Sequence, residues 1–219
     1  ALPPAKGERR AVARRSLFGY GDIALRPVGV LLAMLRFLPT CFWGMAVLLI
    51  PLLLSAAGAS KSTIALYATI SQVCASVGQV AVGRAADRLS CKWVTVGVFS
   101  LSVASILGLA LFPNRLDSLF ALGTLSTTTA WSLSTLMPSL VARGSEPQVR
   151  GRVLGWVHLW WNLGMVVGSM AGGVLYRVMP GLPFLVAGGL NAVALTLVFL
   201  FFRLVAHNTR LSATTPDSH

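Results

Sequence analysis

Residues 28–54 read VGVLLAMLRFLPTCFWGMAVLLIPLLL, an apolar run broken by a single charge, Arg36. As a helix rising 1.5 Å per residue, roughly 20 apolar residues are enough to cross a hydrocarbon core of ~30 Å. Five further windows contain no Asp, Glu, Lys or Arg: Ser62–Gly83, Trp93–Phe112, Ser118–Ala142, Val153–Tyr176 and Val178–Phe202. Each is long enough to span, and together they take up most of the chain. The whole sequence is 55% hydrophobic and only 11% charged, with a mean hydropathy of +0.76, so a soluble domain would have no core large enough for its apolar residues. Lipid offers no partner to backbone N–H and C=O groups, which leaves helices or closed barrels, and the windows lack the alternation of barrel strands. The expectation is an all-α membrane protein with six transmembrane helices.

The basic residues orient these spans. Lys6, Arg9, Arg10, Arg14, Arg15 and Arg26 precede the first; Arg84, Arg88 and Lys92 join the second to the third. Arg143, Arg150 and Arg152 join the fourth to the fifth, and Arg203 and Arg210 follow the sixth, whereas the opposite side has only Lys61, Arg115 and Arg177. Positive charge accumulates on the cytoplasmic side, so both termini are expected there. The net charge of +12 is then a set of anchors beside an anionic leaflet and needs no nucleic acid as partner. Residues 1–27, rich in Pro, Gly and Arg and beginning at Ala1, read as a cytoplasmic linker. Residues 28–204 read as the six-helix domain, and 205–219 as a cytoplasmic tail. The cysteines, Cys41, Cys74 and Cys91, have neither CxxC spacing nor a neighbouring His, so no disulfide, metal or cofactor is expected.

Polar residues concentrate in particular spans. Gln72 and Gln79 lie in the second, a dense run of Ser and Thr around Trp131 in the fourth, His158 and Asn162 in the fifth, and Arg36 in the first; the third and sixth are plainer. The pattern divides the chain into two triplets, a 3+3 arrangement whose first two helices face something polar and whose third faces lipid. Helix packing accounts for Ser, Thr and Gly, but amides, imidazole and guanidinium are costlier in lipid. Arg36, Gln72, Gln79, Trp131, His158 and Asn162 are therefore the candidate binding residues. Counted at 1.5 Å per residue from the cytoplasmic ends, Arg36, Trp131 and Asn162 reach roughly one depth. No carboxylate within the windows can pair with Arg36, leaving backbone carbonyls, a residue outside these six helices, an anionic solute, or snorkelling to the surface. Acid–base chemistry by paired carboxylates is excluded in the membrane, so an enzyme is not expected.

Two motifs carry a family resemblance. The loop Gly83-Arg84-Ala85-Ala86-Asp87-Arg88-Leu89-Ser90-Cys91-Lys92 resembles the G-x-x-x-D-R-x-G-x-K/R signature of the major facilitator superfamily, between a second and a third helix. Ser90 replaces its glycine, and Trp93 stands where a further basic residue often occurs. In its own physics, Gly83 permits close helix approach, Asp87 can accept hydrogen bonds at a helix start, and Arg88 and Lys92 anchor the loop. In the fifth span, Gly155, Gly164, Gly168, Ser169, Gly172 and Gly173 are similar to the glycine pattern of drug:proton antiporters in that superfamily, with Ser169 in place of its proline. Gly164, Gly168 and Gly172 form a ridge for tight helix packing. Pro138 and the Arg150-Gly151-Arg152 run also fit the region between fourth and fifth helices.

The resemblance implies a secondary active transporter or antiporter, moving a small organic solute or drug, as in efflux, by alternating access, with Gly83, Asp87, Arg88 and Lys92 as a conformational latch. The chain would be one half of the fold. The fourth span lacks the arginine and glutamine of the N-terminal half's antiporter motif, which points to the C-terminal half. Its partner would be another six-helix half in the same polypeptide or a parallel copy. The competing expectation is a six-span subunit or receptor that transports nothing.

Overall fold

The computed structural model describes residues 20–214. Six long helices dominate it: α1 (Pro27–Ala56), α2 (Lys61–Arg88), α3 (Cys91–Leu111), α4 (Leu116–Gly144), α5 (Arg150–Val178) and α6 (Leu182–Thr214). Pro27 opens α1, where its missing N–H is one that a helix start leaves unbonded anyway. Ser60 caps α2 by accepting from the Thr63 N–H at 3.1 Å. At the start of α4, Arg115 donates to Asp117 at 2.7 Å and holds that carboxyl below its usual range. A single helical turn, Gly21–Ala24, precedes α1, and Pro147–Val149 forms a 3-10 turn before α5.

Apart from α3 with α4, consecutive helices are poor neighbours. The principal partnerships are α1 with α5, α2 with α4, and α3 with α6, while α3 also packs on α4 and α6 on α1. Exchanging α1–α3 for α4–α6 maps this set of partnerships onto itself. The two central helices, α1 and α4, are the most buried; α2 and α5 lie outside them, with few buried residues each.

The core is divided along the helix axes. One apolar cluster gathers Leu32, Leu35, Phe99, Leu136, Leu140, Val198 and Phe201. A second gathers Phe42, Met45, Ile50, Leu54, Ile106, Leu119 and Phe184. Between them α1, α3, α4 and α6 contribute a buried polar belt, with Thr40, Ser102, Ser126, Thr129, Ser132 and Asn191.

Among the described residues, α1, α2, α3 and α6 are long and apolar enough to cross a membrane, their windows averaging 2.1, 1.3, 2.2 and 2.2 in mean hydropathy. Helices α4 and α5 match them in length but fall short in apolarity. For α4 the reason is the belt itself, whose hydroxyls lower its average though they are buried. Two boundaries run past expectation: α6 continues through Thr214, and Tyr20 packs on Trp156 with ring centroids 5.8 Å apart. The plain helices α3 and α6 meet through a buried Ser102–Asn191 hydrogen bond of 3.4 Å, so lipid is not all that they face.

Candidate functional site

Arg36 interrupts α1 between the two apolar clusters, one turn before Thr40. Its Nη1 donates to Ser134 Oγ of α4 at 2.6 Å, and its guanidinium lies 5.8 Å from the Trp161 ring of α5. Pro39, inside the helix, supplies no N–H to the carbonyl of Leu35, so the backbone ladder is interrupted beside this arginine. Thr40 turns its hydroxyl back to the Arg36 carbonyl at 2.6 Å. Trp43 and Trp131 meet edge to face, centroids 5.6 Å apart. These side chains, with Ala130 and Leu133, line a pocket of about 20 Å³, room for a water molecule and little more. The indole Nε1–H of Trp131 is buried without a hydrogen-bond acceptor.

The pocket thus brings together two of the residues picked out from sequence, Arg36 and Trp131. His158 adjoins it indirectly: it is exposed, and its ring stacks on Trp161 at 5.0 Å. Asn162 is also exposed and donates to the His158 carbonyl at 3.0 Å, outside the pocket. Gln72 is exposed on α2, while Gln79 accepts from Thr135 of α4 at 3.2 Å and serves the α2–α4 contact. Trp161 and Ser134, the side chains that meet the Arg36 guanidinium, are among the pocket residues not picked out from sequence; an indole in an apolar run and one serine among many hydroxyls gave no distinguishing signal.

The glycine ridge of α5 lies against α1. A methyl group on Gly164 would come within 2.9 Å of the Phe37 carbonyl oxygen, and one on Gly172 within 3.0 Å of Met45; on Gly168 it would collide with the Cys41 backbone. Gly44 of α1 returns the fit, a methyl there falling 2.5 Å from the Met165 carbonyl oxygen. Ser169, at the position of the resemblance's missing proline, donates to the Gly44 carbonyl at 3.1 Å.

The loop between α2 and α3 corrects two expectations. Asp87 is exposed in the last turn of α2, not at a helix start, because α2 runs to Arg88; Ser90 is the residue that precedes α3. A carboxylate there opposes the helix dipole, which favours cations at that end. Gly83 is not a point of close approach either, since a methyl would rest 3.8 Å from Thr135; the tight position is Gly78, where it would meet Thr128 at 2.5 Å. Arg88 is exposed, and Lys92 lies over the rings of Trp93 and Phe199 at 5.2 and 5.5 Å.

A family model, that of the Major Facilitator Superfamily, matches residues 32–218, which takes in all six helices from Leu32 onward. No curated protein matches the chain.

Proposed function

Because the chain belongs to the major facilitator superfamily, we propose that it is one six-helix half, the C-terminal one, of a secondary transporter that moves a small organic solute by alternating access. Members of that family are transporters rather than enzymes, and the apolar helices mark an integral, multi-pass membrane protein. One observation carries the functional reading: a guanidinium in the middle of an apolar helix, with indoles around it and no carboxylate beside it among the described residues. A charge so placed costs at least ~2.5 kcal/mol unless it faces a cavity or a partner.

Six spans in a 3+3 arrangement are the reading that the exchange-symmetric helix partnerships favour, with both termini on the cytoplasmic side. The solute sits at Arg36, Trp131 and Trp161, with His158, Asn162 and Gln72 flanking it from the exposed faces of α5 and α2. Those faces, which include Ile70, Val73 and Val77 on α2 and Leu163, Val166 and Met170 on α5, receive the second six-helix unit, from the same polypeptide or a parallel copy. The resemblance of the α5 glycine pattern, with Ser169 in place of its proline, is what supports the antiporter subclass; the ridge itself serves packing. Asp87, exposed at the dipole's unfavourable end, acts as the latch toward that unit.

Proteoliposome transport with Asp87→Asn tests the reading. The transport rate is expected to fall at least tenfold while solute affinity and expression stay near wild type, because a latch governs exchange between states. An unchanged rate would contradict it.

A further inference from the structure

The pocket around Arg36 is rich in donors and, among the described residues, lacks a charged acceptor. We infer from that imbalance that its ligand is a monoanion carrying a flat ring, of which an aromatic carboxylate is the simplest form. The inference rests on the pocket being the solute site. A guanidinium has five N–H donors, and among the described residues only the one bond to Ser134 is made. The buried Trp131 N–H has no acceptor, whereas buried donors are almost always satisfied. Thr40 spends its hydroxyl hydrogen on the Arg36 carbonyl and adds none to the pocket.

A carboxylate answers this set: it only accepts, and its two oxygens match the guanidinium fork. Charge limits the ligand further. Among the described residues no second cation lines the pocket, so a dianion would leave one charge unpaired in a low-dielectric site. The indoles of Trp43, Trp131 and Trp161 give flat apolar walls that favour a ring in stacked or edge-on contact. Since the space holds little more than a water molecule, the ring must enter by displacing an indole or by using a wall from the second six-helix unit.

The test is calorimetric titration of the full-length protein in detergent with benzoate, 1-naphthoate and indole-3-acetate, each beside its own amide. At least one acid is expected to bind ten times more tightly than its amide or better. Arg36→Ala is expected to erase that preference, and Trp131→Phe to reduce it about threefold with the protein's melting temperature unchanged. If Arg36→Ala does not fold, Trp131→Phe and Arg36→Lys decide, since Lys keeps the charge but loses the fork. The inference is overturned if no acid binds more tightly than its amide, or if the preference survives these substitutions; a carboxylate of the second unit would then be the partner of Arg36. Uptake of a neutral solute at a rate indifferent to Arg36→Ala would also overturn it while leaving the transporter reading intact. Acid binding without transport of any acid would do the reverse.

Discussion

Arg36 and Trp131 stand out in the sequence because a charge, or a large ring among hydroxyls, is conspicuous in an apolar run. Asn162 stands out for the same reason, yet α5 turns Trp161 into the pocket instead. Adjacent helical residues differ by about 100° around the axis, and counting depth along a helix leaves that angle open. The difference can be measured: Trp161→Ala is expected to lower solute affinity at least tenfold, because it removes a wall of the pocket, whereas Asn162→Ala stays within about threefold of wild type. Solute titrations of the two variants check this, and equal losses would mean that the α5 face is turned otherwise.

The pairing of α1 with α5 depends on small residues on both surfaces. The ridge of Gly164, Gly168 and Gly172 was legible as a packing motif from its spacing of four; its partner was not, because nothing in the ridge says which helix lies against it. Gly44 and the Cys41 backbone answer that in the structure. Gly168→Ala is expected to cost about 1–3 kcal/mol, as overpacking at a close backbone contact does. Gly173→Ala has open space for its methyl and is expected to be neutral or to gain up to ~1 kcal/mol from helix propensity. Melting temperatures in detergent would separate the two, and a harmless Gly168→Ala would contradict the α1–α5 contact. The loop after α2 was harder to read: its motif is visible, but the capping role assigned to Asp87 failed because α2 continues one residue beyond it.

Across the molecule, charge-poor windows gave the number of long helices and, α6 apart, nearly their bounds, since hydropathy and length are local properties. Partnerships such as α2 with α4 were beyond reach, because the order of helices along the chain says little about which ones touch. The buried polar belt was hidden for a related reason: its hydroxyls mostly bond to their own helix carbonyls, as Ser126 does to Gly123 and Ser132 to Thr128, and only packing makes them a layer. That belt is also why apolarity alone singles out four helices where the account proposes six spans. The two counts differ in where the loop before α5 lies. If α4 and α5 both cross, that loop returns to the cytoplasm beside the loop before α3; if neither crosses, it stays outside.

Single cysteines at Ser60, Asn114, Met179, Ser90, Gln148 and His207, in a background lacking Cys41, Cys74 and Cys91, would be treated with a membrane-impermeant maleimide on intact cells. Six spans predict labelling from outside at Ser60, Asn114 and Met179, and labelling at Ser90, Gln148 and His207 only after permeabilisation. Labelling of Gln148 from outside, together with Asn114 and Met179, would contradict the six-span account and with it the placing of Arg36, Trp131 and Trp161 at one solute site within the membrane.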